Sequence, residues 1–233
     1  MKAVPEIKTI LRRQWIASFV YLLLVGGILL LGSGQLNWIR AWLYILFYGL
    51  ASVMNILILA RHDPALLIER SEMPPDTPTW DRILVVFVSR VGPLTLWIVC
   101  ALDARWRWSP IQPDWTALAG LAGMLLGSVL STWAMLSNPF FSGVVRIQTE
   151  RGHTVAQGGP YRWVRHPGYV GFILYYLGLP LLLDSWWGLS VSILTNAAII
   201  LRTILEDRML QYQLPGYAAY TQRVRWRLLP GVW

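Results

Sequence analysis

The polar residues best suited to chemistry lie in one stretch, residues 153–169, which reads HTVAQGGPYRWVRHPGY. It places two histidines, two tyrosines and several basic side chains between long apolar runs. The pair Gly158-Gly159 predicts a turn, and Pro160 and Pro167 fix φ nearby, so the backbone is constrained where the polar side chains cluster. The stretch predicts a functional site; the alternative is a basic loop that faces lipid headgroups.

Further along the chain, Arg202 and Glu206 are four residues apart, which puts a guanidinium and a carboxylate on one helical face. On spacing alone, the two residues either belong to a functional site or form an ion pair at a helix end. Arg90 interrupts an apolar run. An arginine at that depth pairs with a carboxylate, snorkels to the interface or lines a polar cavity.

Composition places the chain in a bilayer. It has 233 residues, of which 55% are hydrophobic and 14% charged, with a mean hydropathy of +0.47. The net charge of +8 is spread over several short loops, which fits the positive-inside rule and not a nucleic-acid surface. The three histidines and Cys100 lack the spacing of metal ligands, so no metal is expected.

The apolar runs predict an all-α, polytopic helical bundle with about six transmembrane helices. The last two runs, 169–183 and 186–205, predict a helical hairpin. The 61–82 connector predicts a short interfacial helix followed by a proline-rich turn. Sixteen of the 20 Lys and Arg residues fall on one side, which puts both termini and the 153–169 stretch in the cytoplasm. Gly123 and Gly127 have the spacing that lets a neighbouring helix approach closely. The predicted runs are 15–31, 41–60, 83–102, 116–136, 169–183 and 186–205.

Three motifs occur in order: HTVAQGGPYRWVRHPGYVG, then RTILED after the hairpin, then LPGYAAYTQRVRWRLLPGVW. Together they resemble the isoprenylcysteine carboxyl methyltransferase family of integral membrane methyltransferases. The resemblance covers residues 146–233 and implies a catalytic region there, with residues 1–145 as a scaffold of membrane helices that admits substrate. It implies S-adenosylmethionine as the cofactor, in a cytoplasmic pocket formed by the last helices and the tail.

The resemblance also implies residue roles. Arg202 and Glu206 are implied in catalysis, Glu206 as a cofactor contact and Arg202 as a substrate contact, and Arg90 is added as a substrate contact. Arg146 stands where the family can use a glutamine, and Asp207 replaces a second glutamate. The implied cofactor contacts are Arg146, His153, Thr154, Val155, Ala156, Tyr161, His166, Pro167, Gly168, Tyr169 and Glu206.

Methyl transfer to an ionised carboxylate needs alignment and no general base, since such a group carries no proton at neutral pH. The expected acceptor is a lipophilic or prenylated molecule drawn from among the membrane lipids. The sequence leaves the acceptor and the oligomeric state open. Two alternatives are kept: a membrane reductase of the sterol type that uses NADPH, and a lipid-binding membrane protein without catalysis.

Overall fold

The structure is a computed structural model that describes residues 7–62, 66, 74–75 and 77–233. All regular structure in these residues is helical, which confirms the predicted all-α class. The predicted interfacial helix of the 61–82 connector falls mostly outside the described residues. The helices are α1 (Ile7–Gly26), α2 (Ile39–His62), α3 (Thr79–Val86), α4 (Gly92–Trp106), α5 (Asp114–Leu136), α6 (Pro167–Leu182), α7 (Trp186–Gln213) and α8 (Tyr217–Arg223).

Among the described residues, five helical segments are long and apolar enough to cross a membrane: Lys8–Leu31, Ile39–His62, Thr79–Trp106, Asp114–Leu136 and Trp186–Gln213. The fifth of the six predicted spans, α6, is apolar but has only 16 residues. At 1.5 Å per residue it is about 24 Å long, shorter than a hydrocarbon core of about 30 Å. It forms the predicted hairpin with α7, and Asp184 in the connecting turn has a left-handed φ of 62°.

The closest helix packing joins α5 and α6. A Cβ on Gly120 would lie 2.5 Å from the Gly178 carbonyl oxygen, and one on Gly127 would clash with the Gly171 carbonyl. Gly123, by contrast, leaves 3.4 Å to the nearest atom of α6. The Gly123/Gly127 spacing therefore predicted close packing on the right helix, but the closest contacts use Gly120 and Gly127, seven residues apart on one face of the helix.

The third span is not a regular helix. Between α3 and α4 it contains a π-helical turn, Phe87–Val91, in which the Gly92 N–H donates to the Phe87 carbonyl. Pro93 follows and has no N–H to donate, so the regular hydrogen-bond pattern is broken here. The Val88 carbonyl, which would have accepted from Gly92 in an α-helix, accepts instead from the Tyr176 hydroxyl of α6 at 2.7 Å.

Candidate functional site

A cavity of about 530 Å³ lies at the end of the bundle where the third span begins, α5 ends, α6 begins and α7 ends. It receives residues from α3 and its π-turn, the 138–161 segment, α6, α7 and α8. The structure thus brings together side chains predicted separately along more than half of the chain. The predicted site residues that line it are Arg90, Arg146, His153, Thr154, Val155, Ala156, Tyr161, His166, Gly168, Tyr169, Arg202 and Glu206.

Pro167 is the one predicted contact that does not line this cavity. It is buried as the first residue of α6, where a proline costs no helical hydrogen bond because the first N–H groups have no partner. Its place at the helix start orients His166 and Tyr169 on either side of it.

The 138–161 segment is held by a buried glutamine. The Gln148 amide donates to the Phe140 carbonyl at 2.9 Å and accepts from Arg151 at 2.6 Å. Its backbone N–H donates to Nδ1 of His153 at 3.2 Å, and the His153 ring stacks on Phe140 with centroids 4.5 Å apart. Burial lowers the pKa of His153, and the nearby positive charges of Arg151 and Arg146 lower it further. His153 is therefore a neutral acceptor that shapes this wall.

Glu206 is the carboxylate that faces the cavity. Its side chain is 22% exposed, and it accepts a hydrogen bond of 2.5 Å from the Tyr169 hydroxyl. His166 Nδ1 lies 4.0 Å away, and among the described residues no lysine or arginine is within salt-bridge distance of Glu206. A half-buried carboxylate without a basic partner is suited to a positively charged ligand group.

Arg202 is one turn from Glu206 on α7, yet it binds elsewhere. Its Nε and Nη2 donate to the carboxylate of Asp81 on α3, at 2.6 and 3.2 Å, and Nη2 also donates to the Gly143 carbonyl at 3.0 Å. Asp81 is fully buried and also accepts from the Val145 N–H at 2.7 Å. The sequence placed Asp81 in a polar connector and gave it no role, since its partner is 121 residues away.

Asp207 is the centre of a second polar cluster that the sequence did not predict. The fully buried carboxylate accepts from Arg165 Nε and Nη2 at 2.8 and 2.9 Å, from Arg227 at 2.8 Å and from the Tyr217 hydroxyl at 3.0 Å. His166 Nε2 lies 3.3 Å from the same carboxylate. The cluster therefore attaches the C-terminal tail to the 153–169 stretch.

The tail also supplies part of the cavity wall. Tyr217 and Tyr220 of α8 are buried, line the cavity, and pack with Leu214 and Val155. Tyr220 donates to the Tyr161 carbonyl at 2.7 Å. The fold therefore makes these two tail residues part of the cavity wall.

The fold and the cavity are those of a polytopic helical membrane protein with a polar pocket at one end of its bundle. Residues 115–215 match the family model described as "Phospholipid methyltransferase". This match runs from the start of α5 to the end of α7 and includes most of the residues that line the cavity.

Known proteins also match part of the chain. Protein-S-isoprenylcysteine O-methyltransferase of Xenopus laevis is 32% identical over 91 residues, which is 39% of this chain and 32% of that protein. Protein-S-isoprenylcysteine O-methyltransferase B of Arabidopsis thaliana is 27% identical over 120 residues, 48% of this chain and 59% of that protein.

A third relative is the cobalt-zinc-cadmium resistance protein CzcN of Cupriavidus metallidurans, 32% identical over 123 residues, 52% of this chain and 51% of that protein. The chain thus spans about a third of the vertebrate methyltransferase and about half of the two longer matches. Over its matched part, this chain is similar to the family described as "Phospholipid methyltransferase" and to two protein-S-isoprenylcysteine O-methyltransferases.

Proposed function

We propose that this protein is an integral membrane methyltransferase that transfers a methyl group from S-adenosylmethionine to a lipophilic acceptor. Carboxyl O-methylation of a prenylated cysteine or a similar lipid-like acid is the proposed reaction. The observation that carries the proposal is Glu206, a cavity-lining carboxylate held by Tyr169 and without a lysine or arginine partner among the described residues. Its negative charge complements a cationic cofactor, and two of the three relatives named above are methyltransferases.

The residues present fit this cofactor. When bound, S-adenosylmethionine supplies a methyl group on a positively charged sulfur. Glu206 would attract the positive charge of the methionyl end, and the Tyr169 hydroxyl would fix the carboxylate rotamer by its short hydrogen bond. The other lining residues include His153, Thr154, Val155, Ala156 and Tyr161, which would hold the uncharged part of the molecule.

Catalysis by this site rests on positioning. An ionised carboxylate acceptor needs no proton removed, so no residue has to act as a base. Holding acceptor and cofactor in line is worth several kcal/mol, up to about 7–11 in the best intramolecular cases. The pocket is proposed to face the cytoplasm, since the loops at this end carry most of the lysines and arginines.

The reductase alternative has less support from the geometry. A cofactor with a 2′-phosphate needs a cluster of free arginines. The exposed arginines Arg162, Arg223 and Arg225 do not line the cavity, and Arg165, which does, is bound by Asp207. Among the described residues, Arg90 is the only lining arginine without a carboxylate partner, so the cavity offers one free arginine and no cluster.

The test is calorimetric binding of S-adenosylhomocysteine and, separately, NADPH to the purified protein in phosphatidylcholine nanodiscs. We expect S-adenosylhomocysteine to bind, and Glu206→Gln to weaken it roughly 10- to 100-fold, the usual effect of losing a hydrogen bond to a charged group. Arg208→Gln is the matched control, because Arg208 is exposed on the same helix and does not line the cavity.

Three results would contradict the proposal. Binding of NADPH without S-adenosylhomocysteine would assign the pocket to a reductase. Binding of neither would remove the cofactor assignment. Normal binding by Glu206→Gln would show that the cofactor lies elsewhere.

A further inference from the structure

Four arginines line the cavity, and the described structure gives carboxylate partners to three of them. Arg202 is bound to Asp81, Arg165 to Asp207, and Arg146 to Glu150 at 2.5 Å. The fourth, Arg90, is exposed and has no carboxylate partner among the described residues. It therefore contributes a positive charge to the cavity that the described part of the protein does not neutralise.

The π-turn determines where Arg90 lies. The extra residue in that turn widens the helix at Phe87–Val91, and the hydrogen bond from Tyr176 to the Val88 carbonyl fixes the turn against α6. Ser89 and Arg90 of the turn both line the cavity. Ser89 is satisfied by the Val85 carbonyl at 2.5 Å, which leaves Arg90 as the charged group on this wall.

Arg90 also lies deep in the third span. It follows Asp81 by nine residues, so it is roughly 13 Å further along the helix than the Asp81–Arg202 pair. Tyr169, which binds Glu206, and Tyr176, which binds the π-turn at Val88, are seven residues apart on α6. Both line the cavity, so the cavity extends about 10 Å from Glu206 towards the interior of the bundle. The wall at this end is otherwise formed by Val85, Val88 and Phe172.

A positive charge beside apolar side chains within a membrane span is costly unless an anion accompanies it. We propose that Arg90, and not Arg202, binds the carboxylate of the methyl acceptor. This inference rests on the proposed function and adds the residue that recognises its acceptor. Arg90 lies outside residues 115–215, so the family match assigns it no role.

The assignment also accounts for product release. A carboxylate oxygen forms a bond to the methyl carbon while the bond between that carbon and sulfur breaks, so the sulfur becomes a neutral thioether and no proton moves. The reaction therefore removes the negative charge of the carboxylate and the positive charge of the sulfonium in one step. The neutral ester no longer attracts Arg90, so it leaves for the bilayer more readily than the acid does.

The experiment measures binding of two probes to protein in phosphatidylcholine nanodiscs, with and without S-adenosylhomocysteine. One probe is an N-acylated S-prenylcysteine with a free carboxylate, and the other is its uncharged carboxamide. We expect Arg90→Gln to weaken the carboxylate probe roughly 10- to 100-fold and leave the carboxamide unchanged. Arg90→Lys should recover part of the loss, since it keeps the charge without the two-point contact.

The matched control is Arg61→Gln, which should change the affinity for neither probe. Arg61 is exposed at the end of α2 and does not line the cavity. S-adenosylhomocysteine affinity and the unfolding temperature of Arg90→Gln should equal those of the wild type, which excludes a misfolded variant. If the wild type failed to bind S-adenosylhomocysteine, the proposed function would be overturned. The inference about Arg90 would still be tested, because the probes are also measured without S-adenosylhomocysteine.

Two results would overturn the inference itself. The first is equal affinity of the wild type for both probes, or an equal loss of both in Arg90→Gln. The second concerns the source of the anion. If Arg90 held a lipid headgroup, phosphatidylglycerol added to the nanodiscs would weaken binding of the carboxylate and carboxamide probes equally. This competition would be lost in Arg90→Gln.

Discussion

At the scale of single residues, the site is organised by which carboxylates are neutralised. Asp81 and Asp207 are fully buried, and each is bound by arginine, which is the condition under which a charge is tolerated away from water. Glu206 differs, because it is partly exposed and bound only by a tyrosine and a distant histidine. The two buried carboxylates therefore hold the structure together, and Glu206 is left for a ligand.

The pKa of His153 gives a prediction about pH. Burial lowers this pKa, so the folded protein keeps His153 neutral while the unfolded chain binds a proton at about pH 6.5. The stability that this difference contributes is complete above about pH 6.5 and is lost as the pH falls towards the lower, folded-state pKa. We expect the unfolding temperature to fall between pH 7.5 and 5.5, and to fall less in His153→Asn.

Thermal unfolding in one detergent at three pH values would measure this difference. Asparagine keeps an acceptor for the Gln148 N–H but does not titrate. A variant whose unfolding temperature changes with pH as much as that of the wild type would show that another group is responsible.

At the scale of the helices, the α5–α6 pair sets the position of the 153–169 stretch. Two glycines on each helix, Gly120 and Gly127 on α5 and Gly171 and Gly178 on α6, let the two backbones touch. Because α6 begins at Pro167, this contact fixes the helix start that carries His166 and Tyr169. Packing that lies far from the chemistry therefore determines where Tyr169 meets Glu206.

Substituting these glycines tests the contact. A Cβ on Gly127 would meet the Gly171 carbonyl and lie 2.8 Å from the Tyr175 nitrogen, and neither backbone atom can move without shifting a helix. We expect Gly127→Ala to lose about 1–3 kcal/mol of stability, as overpacking usually does. Gly123→Ala, whose Cβ would be 3.4 Å from the nearest atom, is the control and should change stability by less than about 0.5 kcal/mol.

Reversible unfolding in mixed micelles would compare the two variants. Equal losses for Gly123→Ala and Gly127→Ala would show that the backbone contact at Gly127 is not the cause of the loss, since alanine has the higher helix propensity.

At the scale of the whole molecule, the cavity depends on both halves of the chain. Residues 146–233 carry most of the polar groups, but α3, its π-turn and the 138–145 segment complete the wall. Asp81 joins the halves by binding Arg202 and the Val145 N–H. The division into a scaffold of residues 1–145 and a catalytic region thus stays a prediction, and the two parts share one pocket.

The orientation of the molecule can be measured with thiols. Cys100 is the only cysteine and is fully buried, so the wild type should not react. We expect a membrane-impermeant thiol reagent to label Ile111→Cys in intact cells, and to label Ala218→Cys only after the membrane is permeabilised. Both positions are exposed at opposite ends of the bundle. The reverse pattern would place the cavity on the outer side.

The sequence by itself determined the helices, their order, the hairpin and the residues that gather at the cavity. These follow from local signals: apolar runs of membrane length, turn residues and motif order. It did not determine the partners of the arginines. Arg202 was assigned to substrate by the family resemblance, whereas its observed partner, Asp81, precedes it by 121 residues. The role of Arg202 towards substrate stays a prediction.

Only the tertiary structure decided how the charges pair, because an ion pair between distant residues depends on how helices pack and leaves no periodic trace in the sequence. The π-turn is a similar case, because the hydrogen bond from Tyr176 that fixes the turn comes from a different helix, α6. Asp207 likewise became the centre of a cluster once the tail folded back onto the 153–169 stretch. The chain therefore encodes which groups reach the cavity, and packing selects which of them remain available to a ligand.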